Sequence, residues 1–497
     1  MLSNKLFKNL IINIISYGIT IAVSFWLTPF LIRSIGKEMY SFYGISNNFV
    51  DYITIISIAL NSMASKYIAV EYTKGNLKKA RAYFTSIFFS NVILCVFLVP
   101  VLSTIVLFIN RILSVPSERL YEVQLLFGFV FVSMIVRYIS SVFGSVLFTT
   151  NRMDIKAYID IIKVLLRIAL YIILFRVFKP SVFYLGIVLL VIELFNSIIN
   201  IYFKDKMLTE IVIKKEYLDL KLIYFTLKIG IWNSINQLGD LLLSSSDLLI
   251  CNMALGVSAG GDISITKTLI NLLSGAITAV NAVFMPKITN TYAKGNKEEL
   301  CLEVQLSQRI LSSMIIPLVI VLIVFSKDFY NLWVPGNDIK LLSILSTIDM
   351  ARMIVISIMW PVTNLNIVLD KVKIPSILVI AMGVANIFSM LFFIKFLNYG
   401  ILVIPMTTLV LTILYYGIFV PLYSSSILNI SSKTFYKYIP ESVVKIIIVF
   451  IFSNFIKQFF IVDSWFDFIL YGGIIGFFSL LICFCWFIFN LLRKKNF

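Results

Sequence analysis

Apolar runs long enough to cross a bilayer follow one another along almost the whole of this 497-residue chain, and they settle its fold class before any other feature is read. A spanning helix needs roughly 20 mostly apolar residues, and once the polar connectors are set aside the chain divides into about fourteen such runs. With 60% of its residues hydrophobic and 13% charged, it carries more apolar surface than a soluble core can use. The expected class is an all-α polytopic membrane protein with about fourteen transmembrane helices. A membrane β-barrel would show short segments of alternating hydrophobicity, and these are missing. The first run is too long, and too weakly followed by small residues, for a cleaved signal peptide.

Within this series the stretch from Ile35 to Asn76 occurs twice. Gly36 returns as Gly256, Asn61 as Asn281 and Ile68 as Ile288; Tyr72-Thr73-Lys74-Gly75-Asn76 returns as Tyr292-Ala293-Lys294-Gly295-Asn296, all at a spacing of 220 residues. A further echo relates Asn151-Arg152-Met153-Asp154-Ile155 to Asp370-Lys371-Val372-Lys373-Ile374, at a spacing of 219. Similar membrane helices explain matching apolar positions. They do not explain shared glycine, asparagine and Lys-Gly-Asn in one register, which indicates a duplication. An even number of helices separates the copies, so two six-helix bundles are expected to be related by an axis along the membrane normal.

The division expected from the repeat is 1–203 for the first bundle, 204–221 for a cytoplasmic connector, 222–423 for the second bundle, and 424–497 for a C-terminal helix pair with a basic tail. The connector is rich in lysine and is expected to hold an amphipathic helix at the inner face. Lysine and arginine gather in alternate loops, as at Lys66, Lys74, Lys78, Lys79 and Arg81, which places those loops and both termini in the cytoplasm. The formal net charge of +17 is spread over these loops rather than gathered on one soluble face, so no nucleic-acid partner is expected.

Ionisable groups inside a membrane are costly unless they face a cavity or a partner, so their positions mark candidate sites. In the duplication register Asn47 corresponds to Lys267 and Asp51 to Asn271; Asn47 and Asp51 lie one turn apart on one helix face, as do Lys267 and Asn271, predicting matched polar stripes toward a cavity between the bundles. Asp240 and Asp247 are expected to share a face of one long seventh span. Arg137, Arg167 and Glu193 bring two cations and an anion to mid-depth in the first bundle, where either arginine could form a structural bridge with the glutamate. Asp349 and Arg352 can pair at i, i+3. Lys228 and Lys445, near helix ends, are expected to snorkel to the interface.

Several chemistries are absent. There is no histidine, which excludes a His-ligated metal, a Ser-His triad and a histidine proton relay. No Gly-x4-Gly-Lys-Ser/Thr phosphate loop and no Rossmann fingerprint occurs. The five cysteines (Cys95, Cys251, Cys301, Cys483, Cys485) have no metal-ligand spacing and read as small hydrophobes. The expectation is a transporter and not an enzyme, with no cofactor and no metal.

Six plus six plus two helices, Pro29 in the outer part of the first span, the Ile35-Gly36 loop repeated as Leu255-Gly256, and the repeated Tyr-x-Lys-Gly-Asn turn together resemble the polysaccharide transporter branch of the multidrug/oligosaccharidyl-lipid/polysaccharide exporter superfamily, and most closely its Wzx-type O-antigen flippases. The resemblance implies flipping of an undecaprenyl-diphosphate-linked oligosaccharide across the inner membrane by alternating access. It also implies a cationic central cavity, a groove for the lipid tail beside the last two helices, membrane lipids around the protein, and partner enzymes of the same glycan pathway. The expected substrate-binding residues are Arg137, Lys267, Asn47 and Asn271, and the expected carriers of a coupling proton or sodium ion are Asp51, Asp240 and Asp247. The first span lacks a charged residue in its membrane part, which argues against lipid II as the substrate. A drug exporter of the same superfamily, or a membrane glycan polymerase, is the alternative. Against these stand the extra helix pair and buried cations, and the short outer loops.

Overall fold

The structure, a computed structural model, describes residues 4–61, 64–150, 152–282, 284–293, 295–369 and 371–495. Asn151, Lys294 and Asp370 of the sequence echoes fall outside them. Every regular element among the described residues is helical. The first eight helices are α1 (Asn4–Ile35), α2 (Lys37–Asn61), α3 (Ala64–Thr73), α4 (Leu77–Leu107), α5 (Ile109–Ile112), α6 (Leu120–Thr149), α7 (Met153–Val177) and α8 (Phe183–Met207). Then come α9 (Leu220–Ser244), α10 (Ser246–Leu255), α11 (Val257–Ala282), α12 (Met285–Ala293), α13 (Lys297–Val324), α14 (Ser326–Trp333), α15 (Ile339–Val368) and α16 (Lys373–Lys395). One span follows as α17 (Val403–Thr412), a π-helical turn (Ile413–Phe419) and α18 (Val420–Leu428), and α19 (Ile439–Lys457) and α20 (Trp465–Lys495) end the fold. Among the described residues nine helices are long and apolar enough to cross a membrane, or ten if the bent pair α9 and α10 is one span. This is a multi-pass membrane protein.

The duplication is written in the helix boundaries. The starts of α2 and α11, of α4 and α13, and of α7 and α16 each fall 220 residues apart, as do the ends of α3 and α12. Gly75 and Gly295 hold φ of +75° and +76°, a left-handed conformation that side chains resist, and the asparagine after each caps the next helix. Asn61 exchanges amide hydrogen bonds with Asn91 and accepts one from Ser141 of α6. Its counterpart Asn281 exchanges hydrogen bonds with Asn364 of α15, the repeat partner of α6. Polar ties of this kind replace the hydrophobic drive that lipid cannot supply between helices.

By Cα proximity the chain forms two compact units, one of Met1–Leu241 with Leu248–Gly261 and the other of Leu242–Asp247 with Asp262–Phe497. In the first unit α6 and α8 approach closely at Gly186, where a Cβ would lie 2.9 Å from both the Leu126 carbonyl oxygen and the Phe129 Cβ. Gly186→Ala is therefore expected to destabilise the protein by about 1–3 kcal/mol, read as a lower melting temperature of the detergent-solubilised protein. An unchanged melting temperature would show that the two helices can part without cost.

The connector is not an amphipathic helix. Residues 208–214 are irregular, and only the 3-10 turn Lys215–Tyr217 is regular before α9. Leu208 and Ile211 are buried against Ile68, Tyr83 and Phe84. Arg81 donates to the Glu210 carbonyl at 2.7 Å, and Ser86 Oγ accepts from the Asp219 N–H at 2.9 Å. The apolar groups that would have formed a helix face are used as anchors, and the segment becomes a strap over α3 and α4. The second half repeats the device: after α18, Phe435 is buried and Gln305 of α13 donates to the Thr434 carbonyl at 2.8 Å. Gln305 is the repeat counterpart of Thr85, which faces the Val212 carbonyl.

In the second unit α19 and α20 pack on α13. Lys445 does not snorkel; it is 2% exposed. Its Nζ lies 2.8 Å from Glu441 Oε1 and donates to Ser313 Oγ at 2.8 Å, while Arg309 reaches Glu441 Oε2 at 2.9 Å. A lysine stem escapes to the interface only when its helix end is unobstructed, and here α13 covers it. Lys457 fastens the far end of α19, 2.5 Å from Asp328 and donating to the Val324 carbonyl.

Candidate functional site

The second unit holds a buried charge cluster that begins with a broken helix. Ser244-Ser245-Ser246 interrupt the seventh span, and α9 and α10 meet at a bend of 42°. Serine side chains compete for backbone hydrogen bonds, and Ser246 Oγ binds the Leu242 carbonyl. The break frees carbonyl oxygens that must find donors inside the membrane. Lys267 of α11 donates to the Ser244 oxygen at 3.1 Å, and Asn386 of α16 donates to the Leu243 oxygen at 3.1 Å. Because of the break, Asp240 and Asp247 do not share a face of one continuous helix. Asp240, in the first unit, accepts from Asn236 at 3.2 Å. Asp247 sits in the first turn of α10, where the helix dipole favours a carboxylate.

Lys267 Nζ is 2.5 Å from one Asp247 oxygen and 3.7 Å from Asp349 of α15. Arg352, one turn from Asp349, donates to it at 3.2 Å. The expected Asp349–Arg352 pair thus forms, but as half of a four-membered, electrically neutral cluster. Thr408 of α17 donates to the other Asp247 oxygen at 3.2 Å and accepts from Asn386 at 3.1 Å. Asp247, Asp349 and Arg352 are all at most 3% exposed, whereas the Lys267 side chain keeps 13%. Charges this deep persist only when mutually paired and hydrogen-bonded. Asn271, one turn from Lys267, is exposed.

The first unit is built differently. Asn47, Asp51 and Thr54 recur at helical spacing on one face of α2. Asn47 donates to the Tyr43 carbonyl at 2.8 Å, and Asp51 is exposed. Arg137 of α6 reaches Thr54 Oγ1 only at 3.5 Å and lies 5.9 Å from the Tyr138 ring; the Tyr138 hydroxyl takes the better bond to Thr54, at 2.7 Å. Asp51 is close enough to feel the Arg137 charge without forming an ion pair. Glu193 is not the partner of Arg137 or Arg167; no such ion pair forms. Lys228 is exposed. Three cysteines are buried, and none of the five is in a disulfide.

The structure brings together Asp247 and Lys267 with Asp349 and Arg352, and brings Arg137 of α6 beside the face of α2 that carries Asn47, Asp51 and Thr54. Sequence reasoning passed over Thr408, Asn386 and Thr54. Asn386 carried a signal, being the lone amide in the apolar α16; Thr408 and Thr54 carried little, since threonine is common in membrane helices.

Residues 6–292 match the family described as Polysaccharide biosynthesis protein. The chain belongs to this family. It is 25% identical over 485 residues to the "Uncharacterized membrane protein EpsK" of Bacillus subtilis (strain 168), covering 97% of this chain and 95% of that protein. Among solved structures, this polysaccharide biosynthesis protein is similar to lipid II flippase MurJ in its inward closed conformation, with a TM-score of 0.66, 15% identity, and 98% and 99% of the two chains covered. An inward-facing multidrug resistance MATE family transporter of the MOP superfamily also gives a TM-score of 0.66 at 15% identity, covering 85% of this chain and 98% of that one. At these identities the likeness establishes the fold alone, one that this chain shares with both proteins.

Proposed function

We propose that this member of the polysaccharide biosynthesis family is a flippase. Its substrate is an undecaprenyl-diphosphate-linked oligosaccharide, the repeat unit of an O-antigen or other surface polysaccharide, moved across the cytoplasmic membrane by alternating access. The observation that carries this reading is Arg137: a guanidinium inside the first unit that forms no ion pair among the described residues, with a long contact to Thr54 and the Tyr138 ring beside it, next to the α2 face that carries Asn47 and Asp51. A cation so placed costs several kcal/mol unless an anion or water meets it, and a diphosphate supplies that anion. Coverage of nearly the full length of both chains in the match to a lipid II flippase supports a lipid-linked substrate over a small molecule, since the MATE match leaves part of this chain unmatched.

In this reading the halves 1–203 and 222–423 are the two lobes, both termini are cytoplasmic, and no reaction is catalysed. Lys267, with Asn271 one turn away, is held in reserve by Asp247. Taking up a proton or sodium ion at Asp247 frees the ammonium for the substrate's anionic group, so coupling and binding share one cluster. Asp51 modulates Arg137, and Asp240 is the remaining candidate for ion coupling. Membrane lipids and enzymes of the same glycan pathway are the expected partners.

In a strain lacking the gene, complete unpolymerised lipid-linked repeats are expected to accumulate on the cytoplasmic side. Accumulation in the outer leaflet would assign polymerisation or ligation instead, and an unchanged glycan profile would favour a small-molecule exporter. Arg137→Ala, expressed at the normal level, is expected to lower glycan export about tenfold or more, the loss of one charge-assisted contact. Full export by that variant would remove Arg137 from the binding site.

A further inference from the structure

Away from its charge clusters, the second unit carries two open depressions beside α16, and both reach the end of that helix near Lys395. One is a cavity of about 320 Å³ between α16 and α17, lined by Ser389 and Phe393 on the first helix and by Val403, Met406, Val410 and Leu411 on the second. The other, of about 550 Å³, runs along α16 itself beside Phe388, Phe392, Lys395 and Phe396. Ser389 and Phe393 line both, so one ridge of α16 separates them. At this end the chain folds back: Asn398 takes a left-handed φ of +52°, and Tyr399 donates its N–H to the Phe393 carbonyl at 3.1 Å and stacks its ring on the Phe393 ring.

The depressions extend from Phe396 back to Phe388 on α16, and from Val403 to Leu411 on α17. Eight residues of helix rise about 12 Å, close to the roughly 15 Å that half of a bilayer's hydrocarbon core provides, so each groove reaches through one leaflet. Thr407, in the cavity wall, turns its hydroxyl to the Ile404 carbonyl at 3.1 Å, which leaves its methyl group to the groove. Lys395 is exposed and forms no ion pair among the described residues. No aspartate or glutamate occurs between Asp370 and Glu441, so the stretch from α16 to α18 offers this ammonium no counter-charge of its own. An unpaired ammonium at the head of two grooves of leaflet depth is complementary to a lipid with one anionic head and two chains. A single polyprenyl chain would fill only one of the grooves.

We propose that one anionic diacyl phospholipid straddles the α16 ridge at Ser389 and Phe393. One acyl chain lies in the cavity between α16 and α17, the other lies along Phe388, Phe392 and Phe396, and the phosphate meets Lys395. With both termini cytoplasmic, α16 starts from the basic turn at the inner face and Lys395 stands in the outer leaflet. The leaflet rests on that orientation; the site does not depend on the flippase reading. The two helices that the lipid joins carry Asn386 and Thr408, which hydrogen-bond each other at 3.1 Å, and Thr408 in turn holds Asp247. The bound lipid therefore braces the pair of helices that supports the buried charge cluster.

The test uses the full-length protein in phosphatidylcholine nanodiscs doped with a photoreactive lipid, either phosphatidylglycerol or phosphatidylcholine with a diazirine on one acyl chain, followed by peptide mapping. Phosphatidylglycerol is expected to label residues 388–396 and 403–411 about fivefold more than phosphatidylcholine does, the effect of one lysine at headgroup level. Lys395→Gln is expected to bring the two lipids level, and Lys395→Arg to keep the preference. Lys340→Gln, which removes an exposed lysine at the start of α15, is expected to change nothing. Val410→Trp, at an exposed position of the cavity wall, is expected to remove the label from residues 403–411 and spare residues 388–396. Equal labelling by the two lipids in the wild type would make these chains ordinary boundary lipid and overturn the proposal. Labelling of neither segment, as when a second copy of the chain covers this face, overturns it too. Displacement of the phosphatidylglycerol label by an equal amount of undecaprenyl phosphate would give the grooves to a polyprenyl chain instead, and also overturns it. None of these outcomes bears on the flippase reading, which stands or falls on Arg137 and glycan export.

Discussion

Asp247→Ala is expected to destabilise the protein by about 3–5 kcal/mol, because it strands Lys267 beside Arg352 with Asp349 as the only remaining anion. The cost lies in the uncompensated buried charge rather than in the lost contact. For that reason the double variant Asp247→Leu with Lys267→Met, which removes both charges, is expected to recover most of the loss. Thermal unfolding of the purified protein in one detergent distinguishes these cases. A single variant that melts like the wild type would mean that water reaches the cluster freely. The double variant separates stability from transport: stable yet inactive protein is the expected result if the pair also couples the ion.

A loss of similar size, about 3–5 kcal/mol, is expected for Glu441→Ala. That carboxylate serves two buried cations at once, Arg309 and Lys445. Since α19 meets α13 through this group, the effect should concentrate there. Limited proteolysis of Glu441→Ala is expected to cut first between α18 and α20, before the rest of the chain opens. Cleavage spread evenly over the chain would show that the charge triad holds nothing locally. Adding Lys445→Met to Glu441→Ala is expected to restore part of the stability, because one stranded charge is removed.

The helical, multi-pass fold was legible because bilayer thickness leaves few ways to bury so much apolar sequence. The duplication was legible because glycine at a left-handed turn and asparagine at a cap are position-specific demands, and both copies meet them at Gly75-Asn76 and Gly295-Asn296. What sequence could not supply was partnership. Asp349 and Arg352 are neighbours on one helix, so their pairing could be read from spacing. Lys267 and Asp247 are on separate helices, and the break at Ser245 that brings them together depends on three serines whose effect is decided by the donors opposite. Lys445 was misread for the same reason: its position near a helix end is visible in sequence, but the covering helix α13 is not.

The strap after α8 bears on mechanics. A lysine-rich connector reads as slack rope, and its length would then set how freely the sequences on either side could move. Here the length is already taken up, since residues 208–219 are fastened to α3 and α4, and Asp219 both anchors to Ser86 and accepts the first N–H groups of α9 through its carboxylate. A glycine-serine insertion between Tyr217 and Asp219 would therefore introduce compliance that the native chain lacks. Force applied to one end of the segment in the native protein is passed on as through a rod, not absorbed as through a cord.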